Sequence, residues 1–196
     1  HRMAPRIGAV TKLDHAVNAT ALLAYLAKRM EDRIGVLSFG AEVEFGIRQG
    51  HGTRHLRQIT DFLSDVRAEF MHTDYRALAV HVGRRLRHRA LVVILTDLPE
   101  AEECEGLVRA VQALTRTHLP LLLVPTDPAL EAGARFQPAD FPELCRTLVA
   151  RDIWSARRHL VKDLRRRGAI VVESTPERIG LEAVNAYLEV KRRQLL

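Results

Sequence analysis

The chain has 196 residues and a mass of 22.1 kDa, which is enough for one domain with its own core and short of two. Hydrophobic residues at 47% and charged residues at 28% exclude global disorder, collagen-like repeats and fibres, and the two cysteines, Cys104 and Cys145, cannot build a disulfide framework or a CxxC zinc site. Thirty Lys and Arg against 24 Asp and Glu leave a net charge of +6, which invites anionic partners without specifying a fold.

In chain order, Thr11-Lys12-Leu13-Asp14 reads as a helix start, with Thr11 as cap and Asp14 near the positive end of the dipole. The helix runs to about Met30 and is nearly all apolar from Ala19 to Ala27. That run is about half of the 18–20 residues that span a bilayer. Ile34–Phe39 is a short β-rich run. Val43, Phe45 and Ile47 alternate with Glu44, Gly46 and Arg48, the period of a half-exposed strand, so the two runs predict a hairpin. Leu56, Ile59, Phe62, Leu63 and Val66 predict an amphipathic helix over 53–67. Leu78, Ala79, Val82 and Leu86 predict another, capped by Thr73 or Asp74.

Ala90–Leu95 is a continuous apolar run, as in a parallel strand buried on both faces. A helix over 102–118 has Leu107, Val111 and Leu114 inward, and Pro120–Val124 is a second continuous strand. A short helix or turn follows over 129–134. Asp140-Phe141-Pro142-Glu143 starts a long helix to about Arg167, with Leu144, Leu148, Ile153, Leu160 and Leu164 expected near the core and its basic residues expected outward. Ala169–Val172 is a last strand, and 181–195 a last helix. Strands alternating with helices predict one α/β domain with a mostly parallel sheet.

Ligands of open α/β sheets bind beyond the carboxyl ends of the strands, which singles out Ser38, Thr96, Asp97 and Asp127. Asp97, directly after a buried strand, suits a hard cation or a helix cap equally. Thr73, in a loop before a helix, reads first as a cap and second as a metal ligand.

The succession Lys12-Leu13-Asp14-His15-Ala16, Asp32-Arg33-Ile34-Gly35-Val36-Leu37-Ser38-Phe39, His72-Thr73-Asp74-Tyr75-Arg76 and Val92-Val93-Ile94-Leu95-Thr96-Asp97, continued by Ala183-Val184-Asn185-Ala186-Tyr187-Leu188-Glu189-Val190-Lys191, resembles a bacterial family of unknown function. That family has a von Willebrand factor A-like (vWA-like) domain and is often encoded beside MoxR-type AAA+ ATPases. The resemblance implies a Rossmann-like three-layer α/β/α domain over residues 1–196, with one β-hairpin. In vWA domains a metal-ion-dependent adhesion site takes Asp-x-Ser-x-Ser from one loop, a Thr from a second and an Asp from a third. By resemblance Thr73 and Asp97 match the second and third; Arg2, Ser38, Asp74 and Asp127 are the candidates for the binding rim around them. Aligning the family's following Met with Met3 puts Arg2 where the last Ser belongs, and a guanidinium cannot ligate a cation. The expectation is a degenerate site, with Mg²⁺ only if an upstream loop is intact, and with Arg2 paired to Asp97 in the metal's place. The same alignment leaves the first central strand outside the chain, so the chain reads as a fragment of a longer protein.

The resemblance thus implies a non-catalytic protein-interaction (adaptor) domain without a cofactor. Its candidate partner is a MoxR-type ATPase. Its expected place is cytoplasmic, as a free domain or as the cytoplasmic domain of a membrane-anchored protein held through segments outside this chain. The alternative is binding to nucleic acid or another anionic surface through Arg84–Arg89 and the Arg157–Arg167 cluster, disfavoured because only Trp154 lies near either cluster and it reads as core. A Ser38, His72 and Asp97 hydrolase triad is a distant third, since no G-x-S-x-G elbow surrounds Ser38. The remaining histidines lack metal-ligand spacing, and no Walker A loop or G-x-G-x-x-G occurs.

Overall fold

The computed structural model describes residues 6–7, 10–40, 43–67, 73–98 and 101–196. Two short strands, β1 (Arg6–Ile7) and β2 (Val10–Thr11), pair antiparallel. They lead into α1 (Lys12–Arg29), where Thr11 and Asp14 form a full capping box. The hairpin follows as β3 (Ile34–Phe39) and β4 (Val43–Gly50). Gly46 is required there by close approach, because a Cβ on it would lie 2.4 Å from the Val36 carbonyl oxygen. Helices α2 (Gly52–Asp65) and α3 (Tyr75–Arg85) come next, the latter capped by Asp74, whose Oδ1 accepts from the Ala77 amide at 2.9 Å.

The second half alternates strands with helices, two of them between β6 and β7: β5 (Leu91–Leu95), α4 (Ala101–Leu114), β6 (Leu119–Pro125), α5 (Pro128–Arg135), α6 (Phe141–Arg166), β7 (Ile170–Ser174), a 3₁₀ turn over Pro176–Arg178, and α7 (Ile179–Arg192). β5, β6 and β7 form a parallel sheet in sequence order. Among the described residues, β3 pairs only with β4, and their hairpin is a separate sheet.

The period of the central strand explains the layers. Leu122 and Val124 of β6 point to one side, into a core with Leu78 and Val82 of α3, Leu107 and Val111 of α4, and Leu160 and Leu164 of α6. Leu121 and Leu123 point to the other side, against Ala19 and Leu23 of α1 and Ile179, Ala183 and Tyr187 of α7. A smaller cluster packs Ile59 and Leu63 of α2 on Ala24 of α1, with Val36 and Ile47 of the hairpin. The result is an α/β/α arrangement in which β6 is buried along its whole length. β5 packs on both cores, through Val92 and Ile94 on one face and Leu91, Val93 and Leu95 on the other, but among the described residues it is a sheet edge and, apart from Ile94, only half buried.

Asp32, in the turn after α1, ties the outer layer together. Lys191 of α7 reaches both its carboxylate oxygens, at 2.7 and 2.8 Å, and the Tyr187 hydroxyl donates to Oδ2. Burial, and then the bond to Asp32, push the Tyr187 phenol above its ordinary range.

Two expectations for α6 fail. The helix is continuous from its Asp140 cap, as its sequence predicts. Of the five leucine and isoleucine positions assigned to the core, however, only Leu160 and Leu164 are buried. Leu144, Leu148 and Ile153 are 38%, 49% and 51% exposed. The first half of α6 packs α5 with a different face, through Ala150, which meets Gly133, and Arg151, whose Nε donates to the Ala134 carbonyl at 2.9 Å. Nor do all the basic residues of α6 point outward: Arg157 turns in.

Candidate functional site

The carboxyl end of β5 carries Thr96 and Asp97, both buried. A strand that leaves the sheet there presents its next side chains to the loops at the rim, and Asp97 is met by groups from two distant elements. Lys12, the first residue of α1, places Nζ 2.5 Å from Oδ2, and Arg157 of α6 places Nη1 3.4 Å from Oδ1. Their side chains are 11% and 15% exposed, and that of Asp97 is 9% exposed. The Leu98 amide donates to Oδ1 at 2.9 Å, so both carboxylate oxygens are engaged. Arg157 also spans to the end of the neighbouring strand, donating from Nη2 to the Pro125 carbonyl at 2.5 Å.

A neutral chain adjoins this charged cluster. The Thr96 hydroxyl donates to the Asp97 carbonyl at 3.0 Å, and Tyr75, on the first turn of α3, meets the same hydroxyl at 3.0 Å. With the threonine proton committed to the carbonyl, Tyr75 is the donor. Phe39, at the end of β3, packs edge-on to the Tyr75 ring with centroids 6.1 Å apart. The ends of β3, β5 and β6 and the starts of α1 and α3 therefore converge on one rim.

Chemically, the cluster is a carboxylate neutralised by an ammonium and a guanidinium. Two cations already sit where a hard cation bound to Asp97 would lie, and such a metal would have to displace at least the ammonium. Among the described residues, no group of three or more His, Cys, Asp or Glu side chains converges to hold a metal ion.

The other residues singled out in the sequence have plainer places. Asp74 and Asp127 are helix caps, Asp127 through its Oδ1 to the Ala129 amide at 2.9 Å. Ser38 lies inside β3, one residue before its end, and not in a loop beyond it. Thr73 is half buried just ahead of α3, and the tie from this segment to Thr96 runs through Tyr75, two residues on. Arg2 and His72 lie outside the described residues, and with them the Arg2–Asp97 pair and the histidine of the triad. Trp154 is half buried on the helix surface, with the Arg158 and Arg135 guanidiniums 4.6 and 6.0 Å from its ring centroid.

Lys12 and Arg157 are the site residues that sequence reasoning missed. Lys12 had one readable signal: a lysine at the first position of a helix faces the positive end of the macrodipole, so it needs compensation from elsewhere. Arg157 had none, being one arginine among many on a basic helix.

The fold recurs in a solved structure. An aerotolerance-related membrane protein from Bacteroides fragilis, crystallised with multiple mutations to serines, matches with a TM-score of 0.61 over 97% of this chain and 93% of that chain, at 13% sequence identity. No curated protein matches the chain. In this chain, no described helix is long and apolar enough to cross a membrane. The model of the family described as Protein of unknown function DUF58 matches residues 2–134, a span that includes Lys12, Tyr75, Thr96 and Asp97, and the chain belongs to that family.

Proposed function

We propose that the chain is a non-catalytic protein-interaction domain of the vWA type, with a degenerate adhesion site in which the Lys12 ammonium takes the place of the metal. The observation that carries this reading is the Lys12–Asp97–Arg157 cluster at the carboxyl edge of the parallel sheet. An adhesion site uses a cation to bridge an aspartate on the domain to a carboxylate on the partner. Here the aspartate is already neutralised by covalently attached cations, so recognition runs over the rim surface without a metal bridge. The partner that the family resemblance suggests is a MoxR-type AAA+ ATPase. The domain then works on the cytoplasmic side, free or attached to a membrane-anchored protein.

The arginine clusters support nucleic-acid binding less well. Arg157 is spent on Asp97 and Pro125, and Arg167 on Asp163 and Gln112. Nor, among the described residues, does the rim offer the paired nucleophile and base that a hydrolase needs, since the buried carboxylate is held by Lys12 and Arg157.

The test is calorimetric titration of a MoxR-type ATPase from the same organism into the purified chain, with the Asp127→Lys rim variant and a salt-dependent gel shift alongside. Saturable binding that the rim variant weakens supports the reading. No binding to the ATPase, together with tight and steeply salt-dependent binding to nucleic acid, sinks it.

A further inference from the structure

Outside the span matched by the family model, α6 carries a second surface that the rim does not use. Val149, Ile153, Ala156 and Leu160 recur at i, i+4, i+7 and i+11, which places them on one stripe of the helix. At its far end the stripe is covered. Leu160 is buried and, with Ala156, Cys104 and Val108, lines a groove of about 820 Å³ between α4 and α6. At its near end the stripe emerges from that groove onto the bare half of the helix, where Val149 is 60% and Phe141 76% exposed, beside Leu148 and Ile153. The opposite face of this half is already spent on α5 through Ala150 and Arg151, so the bare apolar face is not the side on which α5 packs.

The charges along this surface are uneven. The groove is lined by His159, Lys162, Arg165, Arg166 and Arg167 against Glu105 and Asp163. Glu105 is matched by Arg109, Asp163 by Arg166 and Arg167, and Arg165 by Glu173 outside the groove lining. Lys162 has no ion-pair partner among the described residues, so the groove end is left positive. Asp152 sits on the bare face between Leu148 and Ile153, also without an ion-pair partner among the described residues. Ten residues of helix, about 15 Å, separate Asp152 from Lys162.

We infer that the α6 stripe and the α4–α6 groove dock an amphipathic helix of a partner protein, with apolar side chains at helical spacing and acidic side chains at the end that lies over Lys162 and Arg166. The apolar stripe supplies contact area and the cationic groove sets the direction of the bound helix. Asp152 adds a place for one basic residue about three turns from the acidic end. A lipid surface fits less well, since Asp152 would be pressed into it. A second copy of α6 would bring further positive charge to the groove end. The inference is independent of the rim and stands whether or not Asp97 is occupied as proposed.

The test uses a fluorescein-labelled helical peptide of about five turns with leucines at i, i+3, i+4 and i+7 and glutamates at one end. Its control has lysines in place of the glutamates, and binding is read by anisotropy. The acidic peptide is expected to bind, to weaken about fivefold or more with Lys162→Glu/Arg166→Glu, and to lose binding with Val149→Asp/Ile153→Asp. Both double variants alter exposed positions, and unchanged melting curves confirm that they fold. Four outcomes overturn the inference: no binding of the acidic peptide up to about 1 mM, equal binding of the lysine peptide, indifference to both double variants, or a chain that dimerises by sedimentation and becomes monomeric with Val149→Asp/Ile153→Asp.

Discussion

Replacing Lys12 with Met keeps the bulk of the side chain and removes the ammonium from Asp97. Two unit charges about 4 Å apart at an effective dielectric near 20 attract by about 4 kcal/mol. Both side chains are about nine-tenths buried, so solvent does little to screen this. Against the loss stand three gains and survivals: the lysine's desolvation is relieved, its unfavourable place at the helix start is removed at about 0.3–1 kcal/mol, and Arg157 and the Leu98 amide remain on Oδ1. The net expectation is a loss of about 2–3 kcal/mol, below the full penalty of a buried charge left alone. Asp97→Asn should cost at least as much, because it leaves two cations facing a neutral amide. The assay is urea unfolding of the parent, both single variants and the double variant, at constant pH and salt. The double variant should be less destabilised than the sum of the singles by more than about 1 kcal/mol. A Lys12→Met cost below about 0.5 kcal/mol, or additive singles, would refute the claim that the ammonium holds Asp97.

Leu160→Asp places a charge among buried side chains of α6 and should lower stability by several kcal/mol, whereas Leu148→Asp, on the same helix but exposed, should leave the melting temperature nearly unchanged. Tyr187→Phe removes one of the donors on Asp32 and should cost about 1–2 kcal/mol in denaturant unfolding. Gly46→Ala drives a methyl into the Val36 carbonyl and should cost about 1–3 kcal/mol by the same measurement, since the obstacle is backbone. His118 is buried, and its Nδ1 has no hydrogen-bond partner among the described residues. Burial first and Arg89 second lower its pKa below the ordinary 6.5. The unfolded chain therefore takes up that proton first, and stability should fall as pH drops from about 6.5 toward the lower folded value. His118→Phe should flatten that part of the pH profile of unfolding, and an unchanged slope would assign it to other groups.

The fold was legible where one physical signal dominated. The run Pro120–Val124 reads as a strand enclosed on both faces, and the capping residues Thr11, Asp74 and Asp140 mark their helices in the structure as they do in the sequence. β5 has the same kind of run but among the described residues lies at an edge, which the run could not show: hydrophobicity reports what a strand tolerates and not which neighbours it has. The two-residue strands β1 and β2 are too short to show any period. On α6, helical periodicity is present on more than one face, and composition could not tell that α5 covers Ala150 and Arg151 while Leu148 and Ile153 stay bare. Asp97 was legible from its place after a strand. Its partners were not, because they lie 85 and 60 residues away, and only the sheet brings them together.

The central claim is that covalently attached cations occupy the position a metal would take at Asp97. Isothermal titration of MgCl₂ and MnCl₂ into the purified chain tests it most directly. An octahedral cation offered one buried carboxylate that already holds an ammonium and a guanidinium gains little over its own hydration shell, so the account predicts no saturable heat in the micromolar range. Micromolar binding of either ion that disappears in Asp97→Ala would contradict it and would show a working cation site at the rim.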